Sequence, residues 1–155
     1  MEAETILKEF LQALGVTYTA IEKNEIAGQE IYNIRVDDSR TLIGQHGDTV
    51  HALDSLVKKI YEKRNPAPEA SEEERGPMFM VDVNEFRSKQ IKDLQTKALM
   101  MAERARSFQY DVELSPMSGY ERLIIHTTLQ GAPNVKTESQ GEGRNRRVVI
   151  KYSAE

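Results

Sequence analysis

Two glycines three residues apart, Gly44 and Gly47, impose the sharpest local constraint on this chain. An apolar pair, Leu42-Ile43, runs into them. A helical pattern leaves them, with Val50, Leu53, Val57 and Ile60 at steps of 3, 4 and 3. Such a turn frees backbone N–H groups at the head of a helix and removes two Cβ atoms. Those are the conditions for holding a sugar-phosphate backbone against main chain. The same spacing also makes an ordinary turn, so its meaning rests on the elements around it.

Upstream, Ile6, Leu7, Phe10, Leu11 and Leu14 share one face of a helix over 4–14, and Gly15 stops it. Val16–Ile21 is rich in β-branched and aromatic residues and reads as a strand, with a turn at Asn24–Gly28. Over Glu30–Val36, Tyr32, Ile34 and Val36 alternate with Asn33 and Arg35, which predicts a half-buried strand. Asp37, Asp38 and Ser39 offer an N-cap for a short helix through Ile43. The helix after the glycine turn runs to about Arg64. Residues 65–77 hold three prolines and the acidic run Glu72–Glu74, the composition of an exposed loop. Strand character resumes at Met78–Val83.

The longest helical signal covers 86–108. Ile91, Leu94, Ala98, Met101, Ala105 and Phe108 recur at steps of 3, 4, 3, 4 and 3, and Met100 and Met101 read as gap-fillers. Lys89, Lys97 and Arg104 lie together on a neighbouring face. A short strand at Tyr110–Leu114 ends before Pro116. Ser118, with Glu121 three residues on, is a capping box that opens a helix to about Gln130. Val135–Gln140 and Arg146–Tyr152 pattern as an antiparallel hairpin around Gly141-Glu142-Gly143.

A chain of 155 residues fits one ordinary domain or two small ones. The formal charge of −4 argues against an anionic partner, but its distribution does not. Residues 1–84 carry 9 Lys/Arg against 16 Asp/Glu, whereas residues 85–155 carry 12 against 9. That asymmetry hints at a basic working end, although it is modest enough to arise by chance. The absence of cysteine removes disulfides, thiolate chemistry and cysteine-ligated zinc. No apolar run reaches membrane-spanning length and no leader pattern opens the chain, so a protein of the cell interior is expected.

In the capped helix Arg122 and His126 are four apart and share a face. An arginine fork and an imidazole N–H projecting together can hold a phosphate. The pair reads equally as a histidine satisfied within the fold and an arginine in a surface ion pair. Arg144, Arg146 and Arg147 cluster beside two glycines, either as a backbone-binding patch or as a solubilising hairpin tip. The sequence holds no Gly-x-Ser-x-Gly, no Walker loop and no His-Glu-x-x-His. His46 and His51, five apart, do not share a ligand face. The expectation is no enzyme, no metal and no cofactor.

The order of elements and these motifs resemble a known family. Residues 1–84 look like a KH domain, with Ile43-Gly44-Gln45-His46-Gly47 as its GxxG motif. Residues 85–155 look like the domain named for its Arg-x-x-x-His signature (R-3-H), with Arg122-Leu123-Ile124-Ile125-His126 in that role. In this order, and with Pro116-Met117, Tyr120-Glu121-Arg122, Thr137-Glu138-Ser139 and Arg146-Arg147-Val148-Val149-Ile150, the chain is similar to the bacterial Jag (SpoIIIJ-associated) proteins.

The resemblance implies an α+β fold of two small α/β-sandwich-like domains, a type II-like KH domain and then R-3-H, each a small sheet with helices packed on it. It implies a cytoplasmic, non-catalytic binder of single-stranded RNA, with single-stranded DNA also compatible with the motif. The contacts would come from Ile43, Gly44, Gln45, His46 and Gly47 in the first domain, with bases beside Leu42, Ile43 and Ile34. In the second they would come from Arg122, His126, Arg144, Arg146 and Arg147. Post-transcriptional control, a part in cell elongation and division, and a KH-mediated homodimer or heterodimer with a KH-only protein are also implied. The rival reading is an adaptor that dimerises through its KH domain, with only the second domain or neither touching nucleic acid.

Two departures qualify the resemblance. The chain starts at the KH helix without the N-terminal Jag domain of many members, so no membrane insertion is expected. Gln45 and His46, followed by Asp48, stand where a Lys or Arg is common. Phosphate binding by the first half should therefore be weaker and should strengthen as His46 protonates.

Overall fold

The computed structural model describes residues 2–66 and 79–154. The chain divides into two compact units, Met1–Ser88 and Lys89–Glu155, each a small sheet with helices on it, in a mixed α+β arrangement. Of the expected loop over 65–77, only residues 65 and 66 are described; the rest, with Glu72–Glu74 and Met78, lies outside the described residues.

In the first unit helix α1 (Ala3–Ala13) leads into strands β1 (Ala20–Ile26) and β2 (Gln29–Arg35). Helices α2 (Arg40–Ile43) and α3 (Asp48–Arg64) follow, then β3 (Phe79–Val83). The sheet order is β1-β2-β3, with β1 antiparallel and β3 parallel to the central β2. Ile6, Leu7 and Leu11 of α1, Val50, Leu53 and Val57 of α3, and Ile34, Phe79, Val81 and Val83 of the sheet form one core.

Helix α1 ends as its sequence dictates. Gly15 takes a positive φ of 70°, Val16 N–H donates to Leu11 O at 3.0 Å and Gly15 N–H to Gln12 O at 3.0 Å. That wrapped terminus leaves Leu14 outside the helix and 56% exposed, so the apolar face stops at Leu11.

The first strand starts at Ala20 rather than Val16, because Ala27 and Gly28 both adopt positive φ and close a two-residue hairpin loop between Ile26 and Gln29. The register counted back from that turn carries β1 to Ala20. The second strand is not half-buried. Ile31, Tyr32, Asn33 and Ile34 are all buried, as suits a central strand with neighbours on both sides.

Its buried amide is matched by turn chemistry that the hydrophobic pattern does not reveal. Asn33 Oδ1 accepts from Glu85 N–H at 2.8 Å, and Asn84 donates to Val36 O and accepts from Val36 N–H. Asn84 and Glu85 both sit at positive φ, so the chain reverses there into helix α4 (Phe86–Phe108).

Asp82 caps that helix from β3. Its Oδ1 accepts from the amides of Val83 and Arg87, and its Oδ2 from the amide and hydroxyl of Ser88, all at 2.8 Å. The first turn of α4 is thereby bonded to the first unit, and the division between units falls one turn inside the helix.

In the second unit the sheet order is β4 (Val112–Glu113), β6 (Arg147–Tyr152), β5 (Val135–Gln140), all antiparallel. Ala98, Ala102 and Ala105 of α4 and Ile125 and Leu129 of α5 (Gly119–Leu129) pack with Val112, Val135, Val148 and Ile150. The expected seam of α4 is correct up to Ala105. Phe108 is 68% exposed and Met100 62% exposed, so neither fills a gap in the core.

Asp82→Ala should lower the unfolding free energy by roughly 2–4 kcal/mol, because three buried amides lose their acceptor. Urea unfolding checks this, and a change within about 0.5 kcal/mol, the range of an unremarkable surface substitution, would contradict the capping role.

Candidate nucleic-acid interface

The glycine turn of the first unit is built for its own packing. Gly44 (φ 74°) and Gly47 (φ 82°) flank His46, itself at φ 55°. A Cβ on Gly44 would fall 2.2 Å from Thr49 Oγ1, and one on Gly47 would fall 2.6 Å from the Phe86 ring. The space that the missing Cβ atoms leave is therefore occupied by Thr49 and Phe86. Leu42 and Ile34 are buried in the core and Ile43 is half-buried. What the turn presents outward is Gln45 and His46, both exposed, at the head of the 17-residue helix α3.

In the second unit the capping box forms as written in the sequence. Ser118 Oγ accepts from Glu121 N–H at 3.2 Å, and Glu121 Oε1 accepts from Ser118 N–H at 3.4 Å. It starts α5 so that Arg122 and His126 project from one side of the helix, one turn apart. Their environments differ.

The Arg122 guanidinium donates to Met117 O at 2.8 Å and lines an open cleft of about 460 Å³. Met117, Ser118, Gly119, Gly143 and Arg144 complete that cleft, with Pro116 at its edge. Arg144, on a 3-10 turn over Gly143–Asn145, is exposed and has no ion pair or hydrogen bond among the described residues. One half-fixed guanidinium and one unattached guanidinium thus share a cleft that no carboxylate among the described residues lines.

His126 is a strut. Its Nδ1 lies 2.6 Å from Thr137 Oγ1 and its Nε2 lies 2.8 Å from Ser139 Oγ, so both ring nitrogens are bonded to β5. Burial, then the nearby Arg122 and Arg146 charges, hold the imidazole below its ordinary value of 6.5, which favours the neutral ring at neutral pH. Thr137 and Ser139 are the partners that sequence reasoning missed. The available signal was two hydroxyls two residues apart in a strand whose same face carries the buried Val135, a pattern that calls for a polar group above them.

The three hairpin arginines do not form one patch. Arg146 lies just before β6; it donates to Gly141 O at 2.8 Å, and its charge acts on His126. Arg147 opens β6 on the sheet face opposite the buried Val148 and Ile150. There it pairs with Glu113, donates to Asn145 O at 3.2 Å, and lines a separate cleft with Leu114, Ser115 and Pro116. The structure therefore brings Arg122 and Arg144 into one cleft, leaves Arg146 on Gly141 O outside its lining, and sets Arg147 in another cleft.

Among the described residues no cluster of three or more His, Cys, Asp or Glu could hold a metal, and no helix is long and apolar enough to cross a membrane.

A family model described as the R-3-H domain matches residues 92–152, the stretch that carries this cleft. The match lies wholly within the second unit. Over most of its length the chain is also similar to proteins named KhpB. It is 33% identical over 123 residues to the RNA-binding protein KhpB of Bacillus subtilis, an alignment covering 78% of this chain and 55% of that protein. It is 32% identical over 136 residues to the RNA-binding protein KhpB of Clostridium symbiosum, covering 88% and 58%. With the Lactiplantibacillus plantarum protein of the same name it shares 30% over 109 residues, covering 70% and 31%. The chain spans little more than half the length of the first two relatives and about a third of the last.

The His126 environment fixes the sign of a pH effect. A ring held below 6.5 in the folded second unit binds fewer protons than it does unfolded. Its stabilising contribution is whole above pH 6.5 and is lost as pH falls toward the depressed value. His51 acts in the same direction, through burial and then the Arg87 charge. Stability to urea should therefore decline as pH falls below 6.5, and His126→Gln should flatten part of that decline. An NMR titration midpoint for His126 at or above the ordinary value would contradict this.

Proposed function

We propose that this chain is a non-catalytic RNA-binding protein of the cytoplasm that takes the phosphates of an unpaired strand in the R-3-H cleft and acts in post-transcriptional control. The observation that carries the reading is the pairing of Arg122 with Arg144 across a cleft that no carboxylate among the described residues lines. A phosphodiester needs charge-assisted donors on more than one side, and guanidinium forks supply them. Arg146 adds positive potential from beside His126. The relatives named RNA-binding protein KhpB support RNA as the ligand.

His126 serves in this reading as a positioning residue. Both its nitrogens are engaged, so it holds α5 at a set height above β5 and thereby sets where Arg122 points. Arg147, paired to Glu113 on the other face, contributes to the hairpin rather than to the cleft. Residues 1–84 are assigned in the same proposal to a KH domain and residues 85–155 to the R-3-H domain. The order helix, two strands, two helices, strand, with the glycine turn between α2 and α3, supports the first assignment. Ile43, Gly44, Gln45, His46 and Gly47 would then be its weaker contact, because the exposed tip offers Gln45 and His46 without a fixed positive charge.

Titration of a single-stranded oligoribonucleotide across salt concentrations tests the reading. Affinity should fall steeply as salt rises, with each lost phosphate contact lowering the log–log slope by about 0.7. Arg122→Ala and Arg144→Ala should each weaken binding and flatten that slope, and Arg147→Ala should change it less. Binding that ignores salt, or that survives loss of both cleft arginines, would overturn the assignment.

A further inference from the structure

Helix α4 of the R-3-H domain ends in an exposed aromatic pair that the cleft does not use. Gln109 adopts a positive φ of 55°, and Tyr110 N–H donates back to Ala105 O at 3.3 Å. That reversal folds Tyr110 beside Phe108, with ring centroids 5.9 Å apart and planes tilted by 47°. Phe108 is 68% exposed and Tyr110 43% exposed. Arg104 Nε donates to the Tyr110 hydroxyl at 3.0 Å, which holds the ring against the helix.

One guanidinium, that of Arg104, stands beside the rings. At about 100° per residue, Lys97, Met100, Arg104 and Phe108 fall on one side of α4. Neither Arg104 nor Lys97 forms an ion pair among the described residues. Of the acidic neighbours, Glu103 is paired with Arg106 and bonded to Ser107, while Asp111 accepts from the Tyr152 amide and keeps its charge. Asp93 stands one turn before Lys97 on the same side and about 16 Å from Arg104 along the helix.

We propose that Phe108 and Tyr110, with Arg104 beside them, form a stacking platform for an unpaired nucleobase of the same RNA strand that the cleft holds. The inference rests on the RNA reading above and adds a second contact to it. Every base has a π-face, so an exposed ring beside a guanidinium accepts bases without regard to sequence, and Arg104 meets a phosphate next to the stacked base.

The platform lies at the Tyr152 end of β6, where Asp111 meets that strand, and the cleft lies at the Arg147 end, where the hairpin arginines are. Five residue steps separate these ends, about 17 Å, a span for a few nucleotides. A second copy or a partner helix would call for a continuous apolar face, whereas here the rings and Met100 are interleaved with Arg104 and Lys97.

The test compares wild type, Phe108→Ala, Phe108→Trp and Arg122→Ala in the full chain. The probes are a fluorescein-labelled oligouridylate long enough to cover the R-3-H domain and a base-free ribose-phosphate strand of the same length. Phe108 is exposed, so thermal unfolding of its variants should match wild type. On oligouridylate, Phe108→Ala should bind about five- to one-hundredfold more weakly, the effect of one stacked base, with an unchanged salt slope. On the base-free strand it should equal wild type, and Phe108→Trp should retain full affinity for oligouridylate.

Phe108→Ala binding both strands like wild type, or losing equally on both while Arg122→Ala is impaired, would overturn the platform and leave the RNA reading standing. Wild type that binds neither strand would overturn both. A change from dimer to monomer in sedimentation on Phe108→Ala, with RNA binding intact, would assign the rings to a contact between copies and overturn the platform.

Discussion

Helix α5 sits over β5 because an imidazole joins them. His126 bonds Thr137 through one nitrogen and Ser139 through the other, inside a layer whose other members are apolar. In a half-buried setting such bonds are stronger than in water, and leaving either nitrogen unmatched would carry a desolvation penalty. The ring therefore admits one height and one rotation for the helix. Arg122, one turn earlier on α5, inherits its direction from that constraint, and so does the cleft it shares with Arg144. The Arg-x-x-x-His pattern is in these terms a pin and a hand, with the histidine fixing the element and the arginine reaching outward.

The hairpin beside it distributes its charge unevenly. Consecutive arginines at 146 and 147, one before β6 and one opening it, meet different partners: Arg146 meets Gly141 O and acts on His126, while Arg147 meets Glu113. A cluster that looks uniform in one dimension becomes one cleft arginine, one field arginine and one sheet-face ion pair. The net charge of −4 is compatible with such a site because its potential is local.

Much of the fold is legible in the sequence, for stated reasons. Helix α4 is bounded correctly at both ends because its apolar period is long, and the capping box at Ser118 fixes the start of α5. Local signals mislead where they meet tertiary context. The first strand begins later than its β-branched residues suggest, since the Ala27-Gly28 turn sets the register. The second strand alternates like a half-buried one, because alternation cannot show that Asn33 has a buried partner in Glu85 N–H. Leu14 and Phe108 continue apolar periods to the helix ends, where the wrapped chain turns them outward. In the site, sequence marks Arg122 and His126 but not their division of labour, because Thr137 and Ser139 lie on another element. The glycine turn is visible, but not that Thr49 and Phe86 fill the space its missing Cβ atoms leave.

The most direct measurement of the cleft as the seat of RNA binding is a heteronuclear NMR titration of the full chain with a short oligouridylate, following backbone amides and arginine Nε–H signals. Progressive shifts centred on Met117–Arg122 and Gly143–Arg146, with the Arg122 and Arg144 side-chain signals moving furthest, are the predicted result. Shifts confined to the Gly44–Gly47 turn, or a spectrum that does not respond to RNA, would contradict it.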